Sequence, residues 1–448
     1  MKKFFESLHN VWKIEELKNR ILVTLGLLLV YRFGAHVTLP GIDATQLENL
    51  AGQTDQGIGS ILDMFTGGAF SKASVFALGI MPYISASIVV QLMGIAIPYL
   101  QKLQKDGESG RKRLNQITRW LTIAITLVQG PGYIYNLYST LPPSAFLLGF
   151  DSFQFLFSSV LILTTGTIFA MWLGEKITDK GIGNGISLLI MVGILARLPQ
   201  ALYQEFASKL SGQTVGGPML LVIEVIVWLL IIIACVLLVM AVRRIPVQYA
   251  RRTTAGDFEQ DSLGGNRQWI PLKLNSAGVM PIIFAQAIMF IPAAVAGLSK
   301  SETSQSIAGT FSNMFGFWYN FVFAMLILIF TFFYTAITVP TNKMADDLKR
   351  SGGFIPGIKP GVETADFLDR IMSLITFPGS LFLALIAVFP AIVVSLNVQQ
   401  SWAMFYGGTS LIIMVGVAID TIQQINSYLL NKHYDGLMKS GKNRKAVA

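Results

Sequence analysis

The stretches "GIMPYISAS" at residues 79–87 and "GVMPIIFAQ" at residues 278–286 share the pattern Gly-x-Met-Pro, and each lies within a long apolar run. Glycine and proline are the residues that a helix interior tolerates least, at about 1 and 3 kcal/mol respectively relative to alanine. One such interruption in each half of the chain predicts two matching halves that are broken at equivalent points.

The surrounding composition indicates a membrane protein. Hydrophobic residues make up 53% of the 448 residues, and charged residues only 13%. Many apolar runs approach the roughly 20 residues that a helix needs to cross a bilayer core. We therefore expect an all-α polytopic membrane protein with about ten transmembrane helices. The ten apolar segments are 21–39, 75–97, 117–138, 153–173, 184–198, 218–242, 276–298, 317–339, 371–394 and 404–425.

The positive charges are distributed unevenly between alternate connections. Of the 34 lysine and arginine residues, 29 lie in the N-terminal segment, the C-terminal segment and every second loop between them. Basic residues stay on the cytoplasmic side of membrane proteins. We expect both termini to be cytoplasmic and the protein to be a multi-pass component of the inner (cytoplasmic) membrane. The basic loops 241–273 and 341–370 are longer than topology alone requires.

The residues for enzyme chemistry are scarce. The single cysteine, Cys235, lies within an apolar run, and the three histidines, His9, His36 and His433, are far apart. Neither a thiolate metal site nor a His-Glu-x-x-His motif is present in the sequence. We predict no enzymatic activity and no cofactor.

Two non-enzymatic classes remain open on the residues alone. Matched broken segments are typical of secondary transporters, which bind small solutes at mid-membrane. However, the two Gly-x-Met-Pro segments carry isoleucines and a few uncharged polar residues, whereas ion and solute sites usually contain charged groups. A hydrophobic constriction that gates by excluding water fits isoleucines better. A gated pore is the favoured class, and a secondary transporter is the alternative.

Several long blocks resemble the SecY family, the central subunit of the Sec protein-conducting translocon, over essentially the whole chain. They occur in the order typical of the family. The blocks are "LPGID" (39–43), "FTGGAFSKASVFALGIMPYISASI" (65–88), "DGESGRKR" (106–113), "TGTIFAMWLGEKITDKGIGNGIS" (165–187), "RRIPVQYARR" (243–252), "PLKLNSAGVMP" (271–281), "FIPGIKPG" (354–361) and "YGGTSLII" (406–413).

This resemblance implies a single membrane channel domain, residues 1–448, made of two inverted five-helix halves around a central pore. The halves would be residues 1–210 and 211–448. The implied function is a channel that translocates unfolded polypeptides across the cytoplasmic membrane and releases hydrophobic segments sideways into lipid. Signal sequences, nascent chains and membrane lipids would contact it directly.

The resemblance also implies roles for particular residues. A pore ring would consist of Ile80, Ile84, Ile186, Ile190, Ile283 and Ile413. Polar residues of a lateral gate would be Ser85, Ser87, Gln91, Gln129 and Gln286. A plug at about 57–70 would include Ile61, Leu62, Met64 and Phe65. The basic loops would dock cytoplasmic partners through Arg243, Arg244, Arg251, Arg252, Lys349, Arg350 and Lys359.

The implied partners are SecE-like and SecG-like small membrane subunits, the SecA motor ATPase, and the rRNA and proteins of the ribosome. Two departures concern the docking loops. Lys359 stands where the family commonly has arginine, so that a point charge replaces a bidentate fork. The sequence "VMAV" at 239–242 stands where many members carry Glu-Arg-Gly-Gln.

Overall fold

The structure is a computed structural model of the chain. It describes residues 12, 14–47, 63–146, 152–211, 217–249, 267–298, 313–396 and 398–444. In chain order the helices are α1 (Glu15–Gly34), α2 (Met81–Ala96), α3 (Pro98–Lys105), α4 (Gly107–Thr140), α5 (Ser152–Lys180), α6 (Gly185–Leu210), α7 (Gly217–Met240), α8 (Met280–Leu298), α9 (Phe317–Thr338), α10 (Thr341–Arg350), α11 (Val362–Ser395), α12 (Gln400–Ala403) and α13 (Gly408–Arg444). The strands are β1 (Val242–Tyr249), β2 (Arg267–Lys273) and β3 (Gly353–Phe354).

The prediction of a mostly helical membrane protein is confirmed. Each of the ten apolar segments overlaps one helix of the structure. Within the described residues, six helices are long and apolar enough to cross a membrane, and a seventh span results if the bent pair α2 and α3 counts as one. The remaining predicted spans contain helices that are shorter or more polar, so a count of ten spans stays a prediction.

The chain divides into two compact units. The first unit contains residues Met1–Gln213, Gln400–Trp402 and Val417–Ala448, and the second contains Thr214–Gln399 and Ala403–Gly416. The long helix α13 is therefore shared between the two units.

In the first unit, helix α4 packs against α2 and α5, and α5 packs against α6. Apolar side chains of α4 and α5 form a core with the loop segments around Leu39 and Ala73. The loop at Ala73 runs beside the residues that follow α1, since the Leu39 amide donates to the Ala73 carbonyl at 2.8 Å and the Val75 amide donates to the Val37 carbonyl at 2.9 Å. The segment before α2 is consequently attached to the end of α1.

The second unit contains a feature that the all-α prediction missed. Strands β1, β2 and β3 form an antiparallel sheet in the order β2-β1-β3. In β1, Ile245 and Val247 are buried, and they belong to one apolar cluster with Leu368 and Met372 of α11. Alternation along "RRIPVQY" places these side chains on one face of the strand. The basic loop 241–273 thus has a β-scaffold, whose buried side chains pack against α11.

Candidate functional site

The two Gly-x-Met-Pro stretches are helix starts. Gly79 and Gly278 adopt positive φ angles of 54° and 64°, and helices α2 and α8 begin at Met81 and Met280. The sequence predicted interruptions within continuous apolar segments, and this detail is wrong: residues 75–80 and 276–279 form turns. Proline is favourable in the first turn of a helix, where its missing N–H would have no intrahelical partner. The motif therefore ends a turn and starts a helix, and its proline costs no intrahelical hydrogen bond.

The predicted pore-ring residues occupy helix starts and one long helix face. Ile84 donates its amide to the Ile80 carbonyl at 3.0 Å, so the two residues stand one turn apart at the start of α2. Ile283 occupies the equivalent first turn of α8, and Ile413 is buried in α13. Ile80 is also buried, whereas Ile84 and Ile283 are half-buried.

Helix α6 contributes the other two ring residues. Asn184 caps this helix, since its side-chain oxygen accepts from the amide of Ile186 at 3.2 Å. The Ile186 side chain lies over Gly174 of α5, where an added Cβ would be 2.9 Å from Ile186 Cγ1. Ile186, Ile190, Gly193 and Arg197 follow the spacing i, i+4, i+7 and i+11, which places them on one helix face. Membership of all six isoleucines in one ring stays a prediction.

The five predicted gate residues have different environments. Gln91 donates from Nε2 to Ser87 Oγ at 3.2 Å along α2, and Ser85 is half-buried on the same helix. Gln129 on α4 is exposed. Gln286 on α8 is buried, and its Oε1 has no hydrogen-bond partner among the described residues. A buried acceptor without a partner costs about 1–3 kcal/mol of desolvation free energy. Gln286 therefore has the least satisfied polar group of the five.

The predicted plug is described from Asp63 onward, and Ile61 and Leu62 lie outside the described residues. Met64 and Phe65 are buried. Helix-like residues 63–66 end at Gly67 and Gly68, both with positive φ. We use the name plug segment for residues 63–74.

The plug segment is held on two sides by neighbouring helices. Tyr133 of α4 donates from its hydroxyl to the Phe70 carbonyl at 2.8 Å, and the two rings are 4.9 Å apart. On the other side it meets α6, because a Cβ added at Gly193 would lie 2.7 Å from the Phe65 carbonyl oxygen. This is the face of α6 that carries Ile190.

Sequence reasoning missed four charged residues in or beside the plug segment. The Asp63 carboxylate forms an ion pair with Arg197 of α6. Arg32 of α1 donates from Nη1 to the Gly67 carbonyl at 3.0 Å. Burial, and secondly the charge of Arg32, lower the pKa of Lys72 from its usual value. The available signal was the position of two arginines within or at the end of apolar segments, since such residues are usually functional.

The predicted docking cations that the structure describes are exposed. These residues, which we call the basic loop surface, are Arg243, Arg244, Lys349, Arg350 and Lys359. Arg251 and Arg252 lie outside the described residues. Lys359 follows the short β3 strand, and its Nζ is 3.7 Å from Glu363 Oε1, with both side chains mostly exposed. An exposed pair of this kind contributes little to stability.

Helices of bilayer length, apolar helix starts and a packed loop segment are the features of a multi-pass helical membrane protein. A sequence model of the SecY family matches residues 74–422. The chain is similar to proteins named protein translocase subunit SecY. It is 39% identical to the one from Streptomyces scabiei, over 96% of this chain and 98% of the relative. It is 36% identical to the one from Aquifex aeolicus, over 97% and 99%.

Solved structures agree in fold. A structure described as a protein conducting channel superposes with a TM-score of 0.60 at 18% identity, covering 92% of each chain. Sec61 in the canine ribosome-channel complex from the endoplasmic reticulum gives 0.55 at 16% identity, again covering 92% of each. This chain belongs to the SecY family.

Proposed function

We propose that this chain is the protein-conducting subunit of a translocase, which passes unfolded polypeptides across the cytoplasmic membrane and releases hydrophobic segments sideways into lipid. The observation that carries the proposal is the near full-length match to relatives named as protein translocase subunits. The apolar first turns of α2 and α8 support it, because isoleucines there suit a constriction that seals by contact and excludes ions. The comparisons do not support the alternative of a small-solute transporter.

The arrangement that goes with this function has ten spans in two inverted halves, residues 1–210 and 211–448, with both termini cytoplasmic. The six isoleucines form the constriction, residues 57–70 form the plug, and α2 and α8 border the lateral opening. Support comes from the matching starts of α2 and α8, one in each unit, and from the bias of basic residues to alternate loops.

The basic loop surface is proposed to dock the ribosome and the SecA motor. Arg243 and Arg244 lie on strand β1, whose sheet packs against α11, while Lys349 and Arg350 end helix α10 and Lys359 lies in the turn after β3. Together they offer exposed positive charge to acidic groups or RNA phosphate. Two structures similar to this chain are described as ribosome-bound, the canine Sec61 complex and an idle yeast Ssh1 complex on the 80S ribosome. SecE-like and SecG-like subunits complete the proposed assembly.

Reconstitution tests this proposal. The chain and its small partner subunits are placed in proteoliposomes with the motor ATPase, and protease protection of a secretory preprotein is measured. A model segment of ten leucines contributes about −5 kcal/mol to insertion, while each central lysine costs roughly +3 kcal/mol. We expect one lysine to reduce lateral release and two to convert release into translocation. Absence of protected preprotein, or a release insensitive to charge, would contradict the proposal.

A further inference from the structure

The carboxylate of Asp63 is the most enclosed charged group of the plug segment. Its side chain is fully buried. One oxygen accepts from the Ser71 amide at 2.8 Å, and the other pairs with the Arg197 guanidinium. The carboxylate therefore closes the loop 63–71 on itself and joins it to α6 at the same time.

The Arg197 guanidinium contacts the plug segment at more than one point. Its Nη2 donates to Ser71 Oγ at 3.4 Å in addition to pairing with Asp63. The helix is able to come this close because Gly193, one turn earlier, has no side chain to meet the Phe65 carbonyl. Gly193 and Arg197, on one face of α6, thus form the contact surface for the plug segment.

An ion pair between the plug segment and α6 needs a physical explanation. Ionised groups in a low-dielectric environment are costly to desolvate, and a well-packed apolar pair is often as stable as a buried ion pair. An ion pair differs from an apolar contact when the segment moves, because each separated charge is stabilised by water once the cavity hydrates. While water is excluded from the site, separating the two charges costs much free energy. Once water enters, the cost of separating them becomes small.

We propose that Asp63 and Arg197 form an ionic latch that holds the plug segment against α6 in the resting channel and opens when the pore fills with a polypeptide and water. This inference rests on the proposed channel function. It assigns to the two residues a positioning role: they set how much interaction a signal sequence must supply before the plug segment moves.

A double-mutant cycle in planar bilayers tests the latch, with the chain and its small partner subunits reconstituted together. Asp63→Asn removes the charge and keeps the shape of the side chain, and Arg197→Gln removes the charge on a shorter polar side chain. We expect each to raise resting ion conductance roughly tenfold or more, the factor for loss of a charge-assisted hydrogen bond. The double variant should conduct no more than the leakier single variant, because both remove the same interaction.

Three further measurements keep the outcome decisive. Glu108→Gln breaks the exposed pair with Lys112 and should leave conductance unchanged. In a Cys235→Ser background, Met64→Cys should react with a thiol reagent severalfold faster when either latch charge is removed, which reports release of the segment. Preprotein protection by the parent confirms the channel itself.

Single variants as tight and as slowly labelled as the parent, or single effects that multiply in the double variant, would overturn the latch. A parent that protects no preprotein would overturn the channel function instead, so the two failures are distinguishable.

Discussion

The two Gly-x-Met-Pro helix starts share a backbone conformation but differ in their surroundings. Gly79 and Gly278 have φ angles within about 10° of each other, as their values of 54° and 64° show. A Cβ added at Gly79 would lie 2.8 Å from Thr66 Cγ2 of the plug segment. No described atom lies within 4 Å of a Cβ added at Gly278.

This difference separates what the motif encodes from what packing adds. Glycine with positive φ followed by Met-Pro suffices to turn the chain and start a helix in both units. Only the first start is packed against a segment that the Asp63–Arg197 pair holds in place. The two helix starts therefore share a backbone geometry, and the first is in addition packed against the plug segment.

The largest expected effect concerns the isoleucines one turn into each helix. Ile84→Ser and Ile283→Ser would hydrate the constriction from either half. If the two starts are equivalent, the single variants should raise resting conductance by similar factors and the double variant by roughly tenfold or more over the parent. Conductance in planar bilayers is the measurement.

Leu29→Ser on α1 and Leu381→Ser on α11 serve as controls, because both side chains are largely exposed on helix surfaces that we assign to lipid. If a double variant were as tight as the parent, the ring would be misplaced. A large effect of one isoleucine alone would show that the halves contribute unequally.

The glycines themselves offer the next effect. Gly278→Ala should cost about 1–2 kcal/mol, since alanine is strained at positive φ. Gly79→Ala should cost roughly 1 kcal/mol more, because its methyl group also meets Thr66. Free energies of unfolding in mixed micelles measure both. Gly132→Ala, within α4 and with no described neighbour at the added methyl, should be neutral or slightly stabilising. Equal losses of unfolding free energy in Gly79→Ala and Gly278→Ala would contradict the proposed difference in packing between the two helix starts.

The smallest expected effect is a change in the free energy of unfolding that has opposite signs when two glutamines are replaced by leucine. Gln286→Leu on α8 removes a buried acceptor without a described partner and should stabilise the resting protein by about 1 kcal/mol. Gln91→Leu on α2 removes the bond to Ser87 and should destabilise it by about 0.5–1 kcal/mol. The same unfolding measurement checks both, and changes of equal sign would contradict the different roles.

The sequence predicted the helices well, because long apolar runs have few alternatives to helix in a membrane. It failed at the basic loop, where "RRIPVQY" and "RQWIPLK" pair as strands across the residues between them, and no local pattern reveals such a partner. The sequence analysis also treated Gly-x-Met-Pro as a break within a transmembrane helix. A proline can be assigned to the first turn of a helix only when the residues before it are known to form a turn.

At the candidate site, the resemblance supplied the positions of apolar residues but not the ion pair. Asp63 and Arg197 are 134 positions apart in the printed sequence. Asp63 precedes the apolar segment 75–97, whereas Arg197 lies near the end of the apolar segment 184–198. Their proximity depends on the close approach at Gly193, a tertiary feature. Arg32 and Arg197 could have been singled out, because each is a charge within or at the end of an apolar segment and such a charge needs a partner.

Site-specific photo-crosslinking tests the central claim most directly. A photoreactive residue is placed at position 84 or 283 in the reconstituted translocase, and a preprotein is arrested midway by a folded domain at its end. The account predicts adducts between the arrested chain and both positions, and no adducts from position 29 or 381. Adducts from neither helix start during productive translocation would contradict the claim that the chain passes between them.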